Sequence, residues 1–241
     1  MPHLGAVFFD VDDTLYSTSA FADLARQRGI DAMLAAGLKV RREDLARELA
    51  EVVAEFTSNY EHHYDKLLLR LPPAALEGVN PAVVVAAGVV AYHETKAREL
   101  KPYDDVVFAL RRLSRTDLTL GVITGGLAVK QAEKLIRLGV LPFLDPRAIF
   151  ISDEVGFGKA NPKLYLRACQ ETGVRPEEAM YVGDNPANDI DPPNQIGMIT
   201  VRIHREGKYA GLTSRTPPAH EIDDLGQLLD LIREHYGIDA S

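Results

Sequence analysis

Four short apolar runs in this 241-residue chain each stop abruptly at a polar or acidic residue. They are Ala6-Val7-Phe8-Phe9 before Asp10, Leu118 to Ile123 before Thr124, Ile149-Phe150-Ile151 before Ser152-Asp153, and Met180-Tyr181-Val182 before Gly183-Asp184. Runs of this length, apolar throughout rather than alternating, suit strands covered on both faces, which is the habit of a parallel sheet. Ile199 to Ile203 is a fifth candidate. Between the later runs lie segments of helical period. Asp105 to Leu113 carries Val106, Val107, Leu110 and Leu113 on one face, Val129 to Leu138 carries Ala132, Leu135, Ile136 and Leu138, and Leu164 to Cys169 continues the pattern. Strand alternating with helix predicts an α/β core, a parallel sheet with helices on both faces and right-handed crossovers. In such a sheet the carboxyl ends of the strands converge on one crevice, so the polar residues that end these runs become neighbours in space.

The first two strands break that rhythm. From Ser17 to Leu100 the patterns are helical, over Phe21 to Leu34, Arg42 to Tyr60, Tyr64 to Leu71 and Pro81 to Arg98. An insertion of that size exceeds a simple crossover and reads as a small all-helical cap domain, residues 17–100, set into a core made of residues 1–16 and 101–241. Its seams fall at Tyr16 to Ser19 and Leu100 to Asp104, where Pro102 fixes the backbone. The most apolar stretch, Pro81 to Ala91, is broken by Gly88 and falls far short of the roughly 20 residues a bilayer span requires. It reads as a buried helix at most, and no membrane partner is expected. The segment Met1-Pro2-His3-Leu4-Gly5 has no cationic leader, so a secretory signal is not expected there either.

Charge narrows the partners. Lysine and arginine number 27 against 35 aspartates and glutamates, a net charge of −8, so the chain as a whole lacks the cationic footprint that nucleic acid binding needs. The single cysteine, Cys169, excludes an internal disulfide and any multi-thiolate metal site, which fits a reducing compartment and makes the cytoplasm the expected location.

The strongest chemical signal is Phe8-Phe9-Asp10-Val11-Asp12-Asp13-Thr14-Leu15. Three carboxylates in four positions after a buried strand repel one another, at roughly 4 kcal/mol for a like pair 4 Å apart and an effective dielectric near 20. A hard cation would relieve that repulsion, and magnesium suits the all-oxygen ligands; the plain alternative is an acidic turn that caps the next helix. Asp10 and Asp12, two apart, can face one site with Val11 turned away, one to attack and the other to handle protons. Val122-Ile123-Thr124-Gly125-Gly126 ends the second strand, where a hydroxyl followed by two glycines lets backbone N–H groups approach an anion, although the same string is also an ordinary loop. Gly158-Lys159-Ala160-Asn161-Pro162-Lys163 offers two lysines, either of which can set a compact cation against phosphoryl oxygens. Val182-Gly183-Asp184-Asn185-Pro186-Ala187-Asn188-Asp189 ends the fourth strand, with Asp184 at its tip and Asp189 either a further ligand or a helix cap. The following Asp191-Pro192-Pro193 confines its two prolines to the first turn of a helix, which predicts a late start.

Asp10, Asp12, Thr124, Lys159 and Asp184, in this order and at these strand ends, resemble the haloacid dehalogenase (HAD) superfamily of aspartate-nucleophile hydrolases, in the branch with a helical cap between the first and second motifs. The resemblance implies a Rossmann-like parallel core, Asp10 as nucleophile, and Asp12 as the acid that protonates the leaving alcohol and then activates water. It implies Thr124 and the Gly125 N–H as holders of the phosphoryl group, and Lys159 as the lysine beside it. In relatives that lysine usually precedes proline; here Ala160 follows it, which keeps Lys163 in contention. Magnesium in the family is held by the first aspartate, the backbone carbonyl of the second and the residue matching Asp184, with Asp189 nearby, so the implied metal set is Asp10, Asp12, Asp184 and Asp189.

Members that break carbon–halogen bonds lack an acid two residues after the nucleophile, because halide leaves without a proton, so Asp12 favours phosphate esters. A phosphomutase, or an idle binding protein of the same fold, is the alternative. Asn59-Tyr60-Glu61-His62-His63-Tyr64-Asp65 and Tyr92-His93-Glu94-Thr95-Lys96 are similar to segments of a prokaryotic, often archaeal, group of magnesium-dependent phosphatases. That likeness implies small sugar or triose phosphates as substrates, glyceraldehyde 3-phosphate and phosphoglycolate among them, with His63 and Lys96 as candidate contacts. The plain reading of these residues is a pair of partly buried histidines and a wet helix face. Whether such a chain works as a monomer or a homodimer is left open.

Overall fold

The computed structural model describes residues 2–57 and 59–240. Along the chain run β1 (Ala6–Phe9), α1 (Thr18–Ala35), α2 (Arg42–Phe56), α3 (His63–Leu69), α4 (Pro81–Glu99), α5 (Asp104–Leu113), β2 (Thr119–Thr124), α6 (Ala128–Arg137), β3 (Ile149–Ile151) and α7 (Ser152–Val155). They are followed by α8 (Pro162–Thr172), β4 (Ala179–Gly183), α9 (Asp191–Asn194), β5 (Ile199–Ile203), β6 (His220–Ile222) and α10 (Leu225–Tyr236). The chain divides into two compact units, Met1–Ser19 with Lys101–Ser241, and Ala20–Leu100.

The first unit is built on a six-stranded, wholly parallel sheet of order β3-β2-β1-β4-β5-β6. The five apolar runs are its first five strands. β6 was not legible, because His220-Glu221-Ile222 is a three-residue edge strand that buries Ile222 alone. Both faces of the central strands are covered. Ala6, Phe8, Ile123 and Tyr181 face Leu164, Tyr165, Ala168 and Cys169 of α8, and Val7, Phe9, Met180 and Val182, equally buried, point the other way by the two-residue period of a strand. Gly121 is required where it stands, since a Cβ there would lie 2.4 Å from the Ala148 carbonyl and 2.8 Å from Phe8 Cδ1.

Helical stripes are mostly where the periodicity puts them. Val106, Leu110 and Leu113 of α5 are buried as expected, joined by Ala109. On α6 the buried stripe is Gln131, Leu135 and then Leu138, while Ile136 is 65% exposed, so one expected apolar position is replaced by an amide. The two prolines of α9 do occupy its first turn, and that helix starts only at Asp191 after a π turn over Pro186–Ile190.

The second unit is helical among the described residues. Ile30, Met33, Leu45, Leu49, Tyr64, Leu67, Leu68 and Val84 form its core. α1 and α4 meet at two glycines: a Cβ on Gly29 would lie 3.3 Å from the Gly88 carbonyl and 2.1 Å from Tyr64 Oη, and one on Gly88 would lie 3.0 Å from Met33 Cγ. α2 stops at Phe56, because Thr57 adopts a φ of 65°; the remainder of the helix expected to Tyr60 includes Ser58, which lies outside the described residues. Nor is Pro81 to Ala91 a buried helix. Asn80 caps α4 by accepting from the Ala82 and Val83 N–H groups, Val84 and Gly88 are buried against α1 and α3, and Val83 and Val90 are 59% and 54% exposed, because those two neighbours cover one face of the helix only. No helix among the described residues is long and apolar enough to cross a membrane.

Candidate active site

Strand register assembles the site. β1 pairs with β2 on one side and β4 on the other, with Phe9 opposite both Val122 and Val182, so Asp10, Thr124 and Asp184 emerge at adjacent carboxyl ends. The strand order reverses between β1 and β4, and a crevice opens at such a point in a parallel sheet. The Asp10 N–H donates to the Val182 carbonyl at 2.9 Å, which ties the end of β1 to β4.

Ligand oxygens of Asp10, Asp184 and Asp189 lie within 4.8 Å of one another, and all three residues are buried. Asp189 reaches the cluster through the π turn, which folds back so that the Asn185 N–H donates to its Oδ2 at 2.9 Å. Only glycine fits beneath it: a Cβ on Gly183 would lie 2.4 Å from Asp189 Oδ2. Asp189 is therefore part of the carboxylate cluster and does not cap a helix.

Lys159 Nζ lies 2.8 Å from Asp10 Oδ1 and 2.5 Å from Asp189 Oδ1. Burial alone would push this lysine down, and the two carboxylates instead hold it well above its ordinary value, as a permanent cation. Lys163, its competitor in sequence, stands 5.9 Å from the centre of the Phe157 ring. Burial, then the neighbouring Asp189 and Asp12 charges, push Asp10 up to about 7 against the pull of Lys159. Burial with Asp189 and Asp10 pushes Asp184 up to about 8.

Thr124 closes β2 with its Oγ1 buried and without a hydrogen-bond partner, as is Asp184 Oδ1. Gly125 packs under Lys159, whose Cδ would be 3.2 Å from a Cβ there. The pair of glycines does not offer two free N–H groups, since that of Gly126 donates to Ser152 Oγ at 3.0 Å.

Asp12 stands near enough to Asp10 for their charges to interact, with partners of its own. Its side chain does not join the carboxylate cluster; it accepts from Lys134 Nζ at 2.6 and 2.8 Å, Gln131 Nε2 at 3.0 Å, Tyr16 Oη at 2.5 Å and Thr18 Oγ1 at 3.2 Å. Burial opposes its charge, yet Lys134 and these donors hold it below the usual carboxylate range. Directly after it Asp13 turns the backbone at a φ of 57°, and its carboxylate accepts from the Thr18 N–H at 2.8 Å, which brings Tyr16 and Thr18 back to Asp12. Lys134 and Gln131 were not singled out from sequence. The available signal was Gln131 itself, a polar residue four before Leu135 on the buried stripe of its helix. His63 and Lys96 belong to the second unit; His63 Nε2 lies 2.8 Å from the Thr57 carbonyl, and Lys96 sits in the last turn of α4.

The donor set is all oxygen, three carboxylates face one ammonium, and one buried carboxylate oxygen has no donor, so these residues fit a hard divalent cation. Known proteins resemble this chain over nearly its whole length. Glyceraldehyde 3-phosphate phosphatase from Methanopyrus kandleri is 49% identical over 235 residues, which cover 95% of this chain and 97% of that protein. The protein of the same name from Methanocaldococcus jannaschii is 37% identical over 227 residues, 94% of this chain and 96% of that one. Among solved structures, YfnB from Bacillus subtilis, determined bound to magnesium, shares the fold at a TM-score of 0.65 and 18% identity, over 95% of this chain and 99% of that one. A family model for haloacid dehalogenase-like hydrolases matches residues 4–197, a span that holds every one of the strand-end residues assembled above, and the chain belongs to that family.

Proposed function

We propose that the chain is a magnesium-dependent phosphatase of small phosphomonoesters, with triose phosphates such as glyceraldehyde 3-phosphate as the favoured class, acting through a phosphorylated Asp10. The observation that carries this reading is the gathering of Asp10, Asp184 and Asp189 around Lys159, beside the unpartnered Thr124 hydroxyl. The substrate class is supported by the names of relatives at 49% and 37% identity over nearly the whole chain.

Magnesium, held by Asp10 and Asp184 with Asp189 beside them and the Asp12 carbonyl as a further ligand, would supply the positive charge that lets a phosphate dianion approach a carboxylate. Asp10 attacks phosphorus, its oxygen forming the new P–O bond as the ester P–O bond breaks. Asp12, ionised at rest beside Lys134, takes up a proton from solvent before the first step and gives it to the departing alkoxide; it then accepts one from the water that attacks the phosphoaspartate, so that inorganic phosphate leaves, Asp10 is regenerated and Asp12 is ready for the next ester. Lys159 holds Asp10 in place and faces the phosphoryl oxygens with fixed charge, while the Thr124 hydroxyl and the Gly125 N–H are the donors left to bind them. The second unit, Ala20–Leu100, is assigned the role of substrate-selecting cap, with His63 and Lys96 as its candidate contacts. Cys169, buried and free, suits a reducing compartment such as the cytoplasm.

The test is release of inorganic phosphate from a panel of phosphorylated metabolites, with magnesium and with EDTA. Triose phosphates should lead, and chelation should stop turnover. A protein that releases no phosphate from any member of the panel with magnesium present would overturn the reading.

A further inference from the structure

We infer that Gln131 and Lys134, two donors on one face of α6, are positioning residues for proton transfer by Asp12; the inference rests on the assignment of Asp12 as acid and base in the proposed reaction. A spacing of three residues sets both side chains on the same side of the helix. There they meet one carboxylate: Lys134 spans both oxygens at 2.6 and 2.8 Å, and Gln131 adds 3.0 Å to Oδ2. Tyr16 and Thr18 approach Oδ1 from the chain's own turn. Without the α6 donors Oδ2 would lose both its partners and Oδ1 would keep only the two hydroxyls, so the carboxylate could turn about that oxygen and away from a leaving group.

Gln131 does more than hold Asp12. The same Nε2 donates to the Gly125 carbonyl at 2.7 Å, so one amide nitrogen ties the Thr124 loop to the residue that moves the proton. Gly126 makes room for it, since a Cβ at that φ of 129° would lie 2.8 Å from the amide nitrogen. Lys134, for its part, has a side chain only 17% exposed and stands 5.8 Å from the centre of the Tyr16 ring, with its ammonium turned to Asp12. The buried stripe of α6 thus departs from apolar character at the position that faces the proposed proton donor.

The experiment measures kcat/KM, which reports steps up to the phosphoenzyme, on phosphate esters whose leaving alcohols range from p-nitrophenol to simple alkanols. For Lys134→Met the loss should grow along the series, from under about 3-fold for p-nitrophenyl phosphate to about 10- to 100-fold for alkyl phosphates, because poor leaving groups need the proton most. In an Asp12→Asn background the same substitution should cost nothing further. Lys134→Arg should recover part of the loss on alkyl esters. Equal losses on every ester, a gain on alkyl esters, or an undiminished effect in the Asp12→Asn background would each overturn the inference and leave α6 as packing alone. Should Lys134→Met fail to fold, Gln131→Met keeps the ion pair and carries the same leaving-group test. A wild-type protein inert toward p-nitrophenyl phosphate would instead sink the phosphatase reading, so the two failures are distinguishable.

Discussion

Replacing Asp184 by asparagine should make the metal-free protein more stable and at the same time remove its response to magnesium. The Asp10, Asp184 and Asp189 oxygens lie within 4.8 Å of one another, and Lys159 supplies a single positive charge to Asp10 and Asp189. With all three ionised, Asp184 faces one uncompensated like charge, which at that distance and an effective dielectric of about 20 costs roughly 3 kcal/mol. Burial, with Asp189 and Asp10 beside it, lifts Asp184 from the ordinary 3.8 to about 8. An acid raised on folding binds its proton more tightly in the folded state, so stability is lost as pH climbs from the unfolded value toward about 8 and levels off above it. The asparagine variant escapes this loss. In EDTA its advantage over wild type should be near zero around pH 4, widen through neutrality and level off above pH 8 between roughly 3 kcal/mol, the repulsion alone, and about 6 kcal/mol, the whole shift with burial included. For a chain of this size each kcal/mol moves Tm by about 2 °C, so calorimetry should show a rise of about 6 to 12 °C. Millimolar magnesium should raise the wild-type Tm at pH 8 and leave the variant near its metal-free value. A variant that melts below wild type in EDTA at pH 9, or a difference that does not widen with pH, would refute the idea that folding holds these carboxylates together against their own repulsion.

Asp10→Asn should abolish turnover while the melting temperature is retained or raised; near-normal phosphate release would remove the proposed nucleophile. Lys159→Ala should lower kcat/KM by about 100-fold or more, against a change within about 3-fold for Lys163→Ala, because only Lys159 touches the carboxylate cluster. Gly29→Ala should destabilise the second unit by about 1–3 kcal/mol in urea unfolding, since its methyl group would meet Tyr64 Oη. Tyr64→Phe should cost little in the same assay, because the hydroxyl it removes is buried without a partner.

The elements that carry the site were legible for a simple reason. A strand covered on both faces must be apolar throughout, so its end is marked by the first polar residue, and Asp10, Thr124 and Asp184 are such marks. β6 and α9 were harder, because an edge strand of three residues and a helix opening on two prolines have no long periodic pattern to read. The placement of Lys159 over Lys163 could not be read from a string holding both, since either reaches a neighbour of the strand ends in principle.

The acidic motif and its spacing determined which groups could do chemistry, because residue type sets what a side chain can donate, accept or attack. Where those groups went was decided by the tertiary structure. The donors of α6 hold Asp12 toward Lys134, a left-handed Asp13 brings Tyr16 and Thr18 back to the same carboxylate, and a wide turn after β4 sets Asp189 against Gly183. Hydrogen-bond partners distant in sequence choose a side chain's direction, and their positions exist only once the sheet has set the strand ends side by side.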